Sequence, residues 1–439
     1  MRRRPAAGAG LAAALVLAAA ACTSPASEGD PEPAPAPRTR PAAPPATAAP
    51  EPDLAVVGHA TRPQLALTRA AYRRLVAGDL DRWRGREVVA GIRAVERDPG
   101  AIAVVPLDDV GPTVVAARVG GVDPVRDDPR AVDLTVGGDV MLVRGVPDAA
   151  AALAPLSRRL RSADVTVGNL ESTLSLEGSP TQGGDSFGGT PALLGPLRRA
   201  GFDVLSLANN HAGDYGTTAM LRTVAELRRS PVAPVGAGRD LAAASRPAYV
   251  VRGGVRFGFV AFNAIGETPQ ATPDAPGALS VRMPPRTGPL VPADLDHVAE
   301  VIRRATQRAD VVVALPHWGT QYTHEPEEVQ RTVGRRLVRA GADLVVGGHP
   351  HWVQGIDSVG GVPLAHSLGN LVFDMGPSSG FPVETREGVL LEATFWGAEL
   401  KAVRLAPYRM DPTSYAPRPV PGPEVLADVW STSTGPYAG

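Results

Sequence analysis

From about residue 131 the chain alternates short, near-continuously apolar runs with stretches whose apolar positions recur every three or four residues. The runs fall at 133–136, 164–167, 203–207, 256–262, 310–315 and 343–346, and are rich in Val and Leu. Short apolar runs without polar alternation predict strands covered on both faces. Between them, 327–340 sets Val329, Val333 and Leu337 on one face, with Pro326 near its start and Gly341 just past its end. That punctuation predicts an amphipathic helix. The stretch 292–308 repeats the pattern with Leu295, Val298, Ile302 and Ala305, and runs at 363–366, 389–395 and 402–405 add strands without clear helices between them. The whole predicts an α/β core over 131–410, with two central mixed sheets packed face to face and helices outside.

Residues 54–130 predict a smaller α/β accessory domain: a strand at 54–57, a helix around 68–75 and a β-rich run at 101–105 before Pro106. The order "LTRAAYRRLVAGDLDRW", "DPGAIAVVPLDDVGP", "GVDPVRDDPR" resembles one lobe fragment of periplasmic phosphate-binding-type transport proteins. A ligand-receptor reading rests on that fragment alone, which lacks the rest of a two-lobed cleft. Residues 411–439 read as an irregular tail.

Composition changes the picture at the N-terminus. Arg2, Arg3 and Arg4 precede an apolar run at 11–21 that is too short to span a membrane. Residues 1–22 therefore predict an export signal. Cys22, the one cysteine, follows Ala19-Ala20-Ala21, where a lipoprotein signal places its lipidated residue. The alternative is a plain secretory signal with a chance cysteine. Residues 23–53, rich in Pro and Ala, predict a disordered tether. The expected location is the outer face of the cytoplasmic membrane by lipid anchor, or secreted under the alternative. A net charge of −1 over 439 residues gives no reason to expect nucleic acid as a partner.

The chemistry lies at the ends of the predicted strands, where open α/β folds build their sites. The first strand runs into Gly137-Gly138-Asp139, the second into Gly168-Asn169-Leu170-Glu171, and the third into Asn209-Asn210-His211. Later ones end in Pro316-His317-Trp318 and Gly347-Gly348-His349-Pro350-His351. Of eight histidines, five lie in or beside such motifs: His211, His317, His349, His351 and His366. Mixed carboxylate, amide and imidazole donors suit Mn, Fe or Zn.

Each residue also has a bland reading. Asp139 could cap a helix, Asn209-Asn210 could make a turn, Glu171 could be a helix-start carboxylate, and His317 could be a core histidine. His349 and His351 alternate on what reads as an extended segment, which predicts both on one side. Trp318, Tyr322 and Trp352, with Asn169, are read as a polymer groove on the rim rather than as core. A Gly-x-Ser-x-Gly pattern at 184–188 has no strand before it or helix after it, and is read as a chance match.

The segments "TVGGDVML", "VGNLEST", "LSLANNHAGDYG", "LPHWGTQY", "VVGGHPHWVQG" and "HSLGNLVFD" together resemble the CapA (poly-γ-glutamate capsule synthesis) family, which is similar in fold to calcineurin-like metallophosphoesterases. The resemblance spans roughly 133–376 with every motif in order. It implies a metallophosphoesterase-like α/β sandwich holding one or two divalent transition-metal ions. Under it, Asp139 matches the first-metal aspartate, and Glu171 falls where a bridging aspartate is usual. Asn210 matches the asparagine that offers a metal its side-chain oxygen. His211 matches the histidine that protonates the leaving oxygen, and His317, His349 and His351 match the remaining metal ligands. The chain departs from the pattern at Met141, where a second ligand is usual, in having Asn169-Leu170-Glu171 for an Asp-based motif, and at Gln321, where relatives often have Glu. The resemblance implies an anionic envelope polymer or phosphoester as substrate and membrane capsule-synthesis proteins as partners. It leaves open a metal-dependent hydrolase and a non-catalytic polymer-binding component.

Overall fold

The strand Ala131–Val140 is the axis of the residues that the computed structural model describes, 54–438. The predicted signal, Cys22 and the tether lie outside them. Val165–Leu170 pairs with this strand in parallel, followed outward by Val204–Ser206 and Ala233–Val235. On its other side the antiparallel hairpin Glu387–Trp396 and Glu399–Met410 pairs along 131–136, and Asn370–Val372 joins in parallel beside Asp139 and Val140. Pro417–Pro419 closes this eight-stranded mixed sheet. A second, six-stranded mixed sheet runs Ala248–Arg252, Val255–Asn263, Val311–His317, Leu344–Val346, Val362–Ala365, Ile356–Val359.

Side-chain alternation explains why the sequence hides no polar face. Val132, Leu134 and Val136 of the first sheet meet Phe257, Phe259, Val311 and Val313 of the second in one inter-sheet core. The intervening Val260, Phe262, Val312 and Ala314 point the other way, against the helices Pro292–Thr306 and Glu328–Arg339. On the outer face of the first sheet, Leu170 and Leu205 pack against the helices Ala149–Leu160 and Gly216–Arg228. The expected face-to-face mixed sheets with helices outside are the observed architecture, and strands buried on both faces need apolar residues at every position.

Residues 54–116 form their own five-stranded sheet around Leu54–His59, with the helices Arg69–Val76 and Ile92–Arg97. Thr68 caps the first of these, accepting from Ala71 N. This sheet packs on the hairpin through Trp396 and Ala402. Lys401, the only lysine, donates Nζ to Asp108 O at 2.5 Å across that contact.

Residues 411–438, read from sequence as irregular, include a strand at Pro417–Pro419 and the helix Pro423–Ser431. Val425, Val429 and Trp430 of that helix enter the inter-sheet core. Five prolines between 412 and 423 mask the signal, although Pro423 sits at the first helical turn, where proline is tolerated. Among the described residues no helix is long and apolar enough to cross a membrane.

Candidate metal centre

The parallel strands of both sheets deliver their carboxyl ends to one edge. Asp139 lies in Ala131–Val140, Glu171 directly follows Val165–Leu170, and His317 ends Val311–His317. One ligand-capable atom from each lies within 4.8 Å of the others, and all three residues are buried. Asn210 and His211 follow Val204–Ser206, and His349 and His351 follow Leu344–Val346. Glycine makes the convergence possible. A Cβ on Gly348 would stand 2.5 Å from Asp139 Oδ1.

Asparagines set the internal geometry. Asn209 is anchored to backbone on both sides, accepting from His211 N at 3.0 Å and donating to Leu170 O at 2.8 Å. Its Nδ2 therefore faces Asn169 Oδ1, 2.8 Å away. Asn169 must in turn aim Nδ2 inward, 2.9 Å from Asp139 Oδ1, 3.1 Å from Glu171 Oε1 and 3.1 Å from His317 Nδ1. Two hydrogens cannot serve three acceptors at once. Asn169 thus sits inside the cluster rather than along a groove.

Asn210 Oδ1 accepts from His317 Nε2 at 2.8 Å. His351 Nδ1 donates to Asn370 Oδ1 at 2.8 Å, and Asn370 Nδ2 is held by Thr385 O. That leaves His351 Nε2 with a free lone pair, the arrangement that metal-binding histidines use. His211 Nδ1 pairs with Asp214 Oδ2 at 2.8 Å, its Nε2 lies 3.9 Å from Glu171 Oε2, and its ring stacks on Phe187 at 3.9 Å.

Burial sets the charges. It holds His317 and His349 well below the ordinary imidazole range, reinforced by neighbouring histidines, and lowers His351 too. Burial thus favours in all three the neutral form that a metal ligand must have. Burial, with the Asp139 carboxylate beside it, pushes Glu171 well above the usual carboxylate range. Glu171 Oε2 and His349 Nδ1 are buried with no hydrogen-bond partner. Gly138, Asp139, Asn169, His317 and Gly348 line a cavity of about 20 Å³. Orphaned oxygen and nitrogen donors around two carboxylates fit a metal ion, and Asp139, Glu171, Asn210, His317, His349 and His351 are the residues that could hold it.

Several expectations change. His349 and His351 are not on an extended segment: their φ angles are +97° and +61°, the left-handed region that non-glycine residues avoid. They converge because His349 N is tied to Asp139 Oδ2 at 3.0 Å and His351 to Asn370. Trp318 is fully buried among the helix-side core residues and donates Nε1 to His366 O, so it lines no groove. Tyr322 is 39% exposed and stacks 5.9 Å from His351, and half-buried Trp352 meets it edge-on at 6.5 Å. Met141 is buried in the apolar cluster beneath the helices, its sulfur facing Val143 N rather than the carboxylates.

Sequence reasoning assigned no role to Asp214, Asn209 or Asn370. Asp214 also accepts from Phe187 N and from Gln182 Nε2, so it ties the Gly-rich loop around 184–188 to His211. Its three-residue spacing from His211 was the available signal.

The profile of the family described as "Bacterial capsule synthesis protein PGA_cap" matches residues 133–375, more than half of the chain. The chain belongs to this capsule-synthesis family. The PGA biosynthesis protein CapA of Bacillus subtilis is 36% identical over 182 residues, 41% of this chain and 45% of that protein. The capsule biosynthesis protein CapA of Bacillus anthracis is 30% identical over 301 residues, 64% of this chain and 70% of that protein. The chain thus spans less than half of the first relative and about two thirds of the second. A probable polyglutamine synthesis accessory protein of Mycobacterium tuberculosis is 30% identical over 215 residues, 47% of this chain and 55% of that protein. Among solved structures, a 5'-nucleotidase from Candida albicans aligns at a TM-score of 0.39 and 12% identity over 65% of this chain and 53% of that one, too loosely to carry an argument.

Proposed function

We propose that this member of the capsule-synthesis family is an extracytoplasmic, metal-dependent hydrolase that cleaves a phosphoester in an envelope polymer or its precursor. The observation that carries this reading is the pair of orphaned buried donors, Glu171 Oε2 and His349 Nδ1, beside Asp139, His317 and a His–Asp pair. A bound divalent ion would supply Lewis-acid polarisation and an acidified water. Asp139, Glu171, Asn210, His317, His349 and His351 would hold it. His211 Nε2 lies 3.9 Å from Glu171 Oε2, at the edge of the candidate ligands, so it is placed to give a proton to a leaving oxygen. Asp214 fixes that ring by its Nδ1 bond, and Phe187 fixes its tilt.

The test pairs metal analysis with turnover. Protein purified without chelator should contain one or two transition-metal ions per chain and cleave a generic aryl phosphate. The double variant His349→Ala, His351→Ala should lose both metal and turnover. Asp214→Asn should keep the metal and lose about 10- to 100-fold in turnover. Absence of metal in the unmodified chain would end the hydrolase reading.

One observation favours a second reading, a polymer-binding component with a structural ion: Asp139, Glu171 and His317 are at most 2% exposed. Retained metal, tight binding of an anionic polymer and no turnover would support it over the first.

The relatives' names, with their capsule, PGA and polyglutamine synthesis, support work on an envelope polymer. The basic and apolar N-terminal segment before Cys22 supports lipid anchoring. Labelled palmitate should enter the unmodified chain but not Cys22→Ala, and the variant should leave the membrane fraction. Equal membrane retention of the two would refute the anchor.

A further inference from the structure

A cavity of about 190 Å³ lies where the accessory sheet meets the first sheet and the helix Pro423–Ser431, and it shares no residue with the metal centre. Its walls include the loop after Leu54–His59, the strand Arg118–Val119, the helix Ala149–Leu160 and the hairpin Glu387–Trp396 and Glu399–Met410. Arg62, Arg118, Arg126, Arg159 and Arg404 line it, with one carboxylate, Glu392. Its volume is that of about six waters in the liquid, so it admits a small molecule rather than a chain.

Three of these arginines are engaged. Arg159 donates Nε to Glu392 Oε1 at 2.6 Å and Nη2 to Oε2 at 3.0 Å, and Arg126 donates Nη1 to Oε2 at 3.4 Å. Arg126 also donates Nε to Asp133 Oδ2 at 2.8 Å, and Arg404 pairs through Nη2 with Asp123 Oδ2. Arg62 donates to Thr61 Oγ1 at 3.0 Å, and neither it nor Arg118 has a carboxylate partner among the described residues. Two more donors of the lining are orphaned. Trp430 is 8% exposed and its Nε1 has no hydrogen-bond partner, and the buried Arg404 Nε has none either. A buried donor without an acceptor is destabilising, so two of them on one cavity point to an acceptor that occupies it. A water accepts hydrogen bonds but brings no charge for Arg62 and Arg118.

We propose that this cavity binds a phosphoryl dianion, as inorganic phosphate or as the head of a small phosphomonoester. The unmatched donors come from three separate parts of the fold: a strand of the first sheet, the C-terminal helix and the accessory domain. A carboxylate is planar and offers two oxygens, which one guanidinium fork takes up. A phosphoryl group offers three oxygens in different directions and a charge of about −1.5 to −2, which matches two unpaired arginines. The site joins the accessory domain to the first sheet, so its occupant would tie the two together. The inference stands apart from the metal chemistry, because none of these residues belongs to the metal centre.

The test titrates inorganic phosphate into the full chain by isothermal calorimetry. It uses both the His349→Ala, His351→Ala variant and chelator-treated unmodified protein, so that the metal centre takes no part. Each binds one phosphate per chain. Arg62→Gln with Arg118→Gln weakens that binding about tenfold or more. Trp430→Phe keeps the ring, removes the N–H and weakens binding about three- to tenfold. Arg74→Gln with Arg93→Gln, exposed arginines on the two accessory helices, leaves it unchanged. Unchanged circular dichroism verifies folding of each variant. Tighter binding of glycerol 3-phosphate than of phosphate supports the proposal with an ester as occupant, and the reverse supports it with the free ion. Absence of binding in both metal-free proteins, equal weakening in the Arg74, Arg93 control, or acetate bound as tightly as phosphate overturns it.

Discussion

Glu171→Gln raises the melting temperature of the metal-free chain while removing most of its affinity for a divalent ion. Glu171 is wholly buried, its Oε2 has no partner, and the Asp139 carboxylate lies beside it. Burial and that neighbouring charge make it a weaker acid in the folded chain than in the unfolded one. The unfolded chain therefore releases this proton first. The metal-free fold keeps the full benefit of the protonated pair at pH values below the ordinary glutamate range, and loses it as pH rises above that range toward the raised value. Glutamine copies the protonated acid: it keeps an oxygen for Asn169 Nδ2 and offers an N–H toward Asp139. At pH 7 the gain is about 2 kcal/mol, the scale on which replacing buried charge stabilises proteins. The same change removes an anionic ligand and costs metal affinity about 100-fold or more. Calorimetry of metal-free and metal-loaded protein reads both effects. A lower melting temperature for metal-free Glu171→Gln than for the parent would show that Glu171 is satisfied without an ion.

Gly138→Ala unfolds the site edge of the first sheet. A Cβ there would lie 1.8 Å from Gly369 O, the oxygen that accepts from Asp139 N at 3.1 Å. The obstacle is backbone of a neighbouring strand, and it cannot swing aside as a side chain can. Either the pairing with Asn370–Val372 breaks or Asp139 leaves its place. We expect a loss of about 3 kcal/mol or more, among the larger effects of a single methyl group. Gly184→Ala is the control: its Cβ meets nothing within 4 Å. Urea denaturation compares them, and equal midpoints for Gly138→Ala and the parent would contradict the close approach of these two strands.

Much of the fold was legible because local pattern and tertiary environment agree. Val311–Val313 and Phe257–Phe262 are apolar at nearly every position since both sides of each strand are covered, one by the other sheet and one by helices. The candidate ligands were legible because each lies at or beyond the carboxyl end of a strand with a parallel neighbour, so sequence order predicts a common edge. The helix Pro423–Ser431 was not, because it is short and follows a run of prolines. The left-handed backbone at His349 and His351 was not either, since nothing local favours it there. Contacts to Asp139 and Asn370, more than a hundred residues and about twenty residues away in sequence, impose it.

By itself the sequence determined the two-sheet α/β core, the capsule-family motifs and the set of residues at the strand ends. Those follow from side-chain periodicity and residue type, which each segment carries locally. Only the tertiary structure decided that Asn169 turns its nitrogen inward, that Trp318 is core and that Asp214 orients His211. The direction of a hydrogen bond, the loss of water around a charge and the meeting of like charges depend on groups remote in the chain, and no local pattern records them.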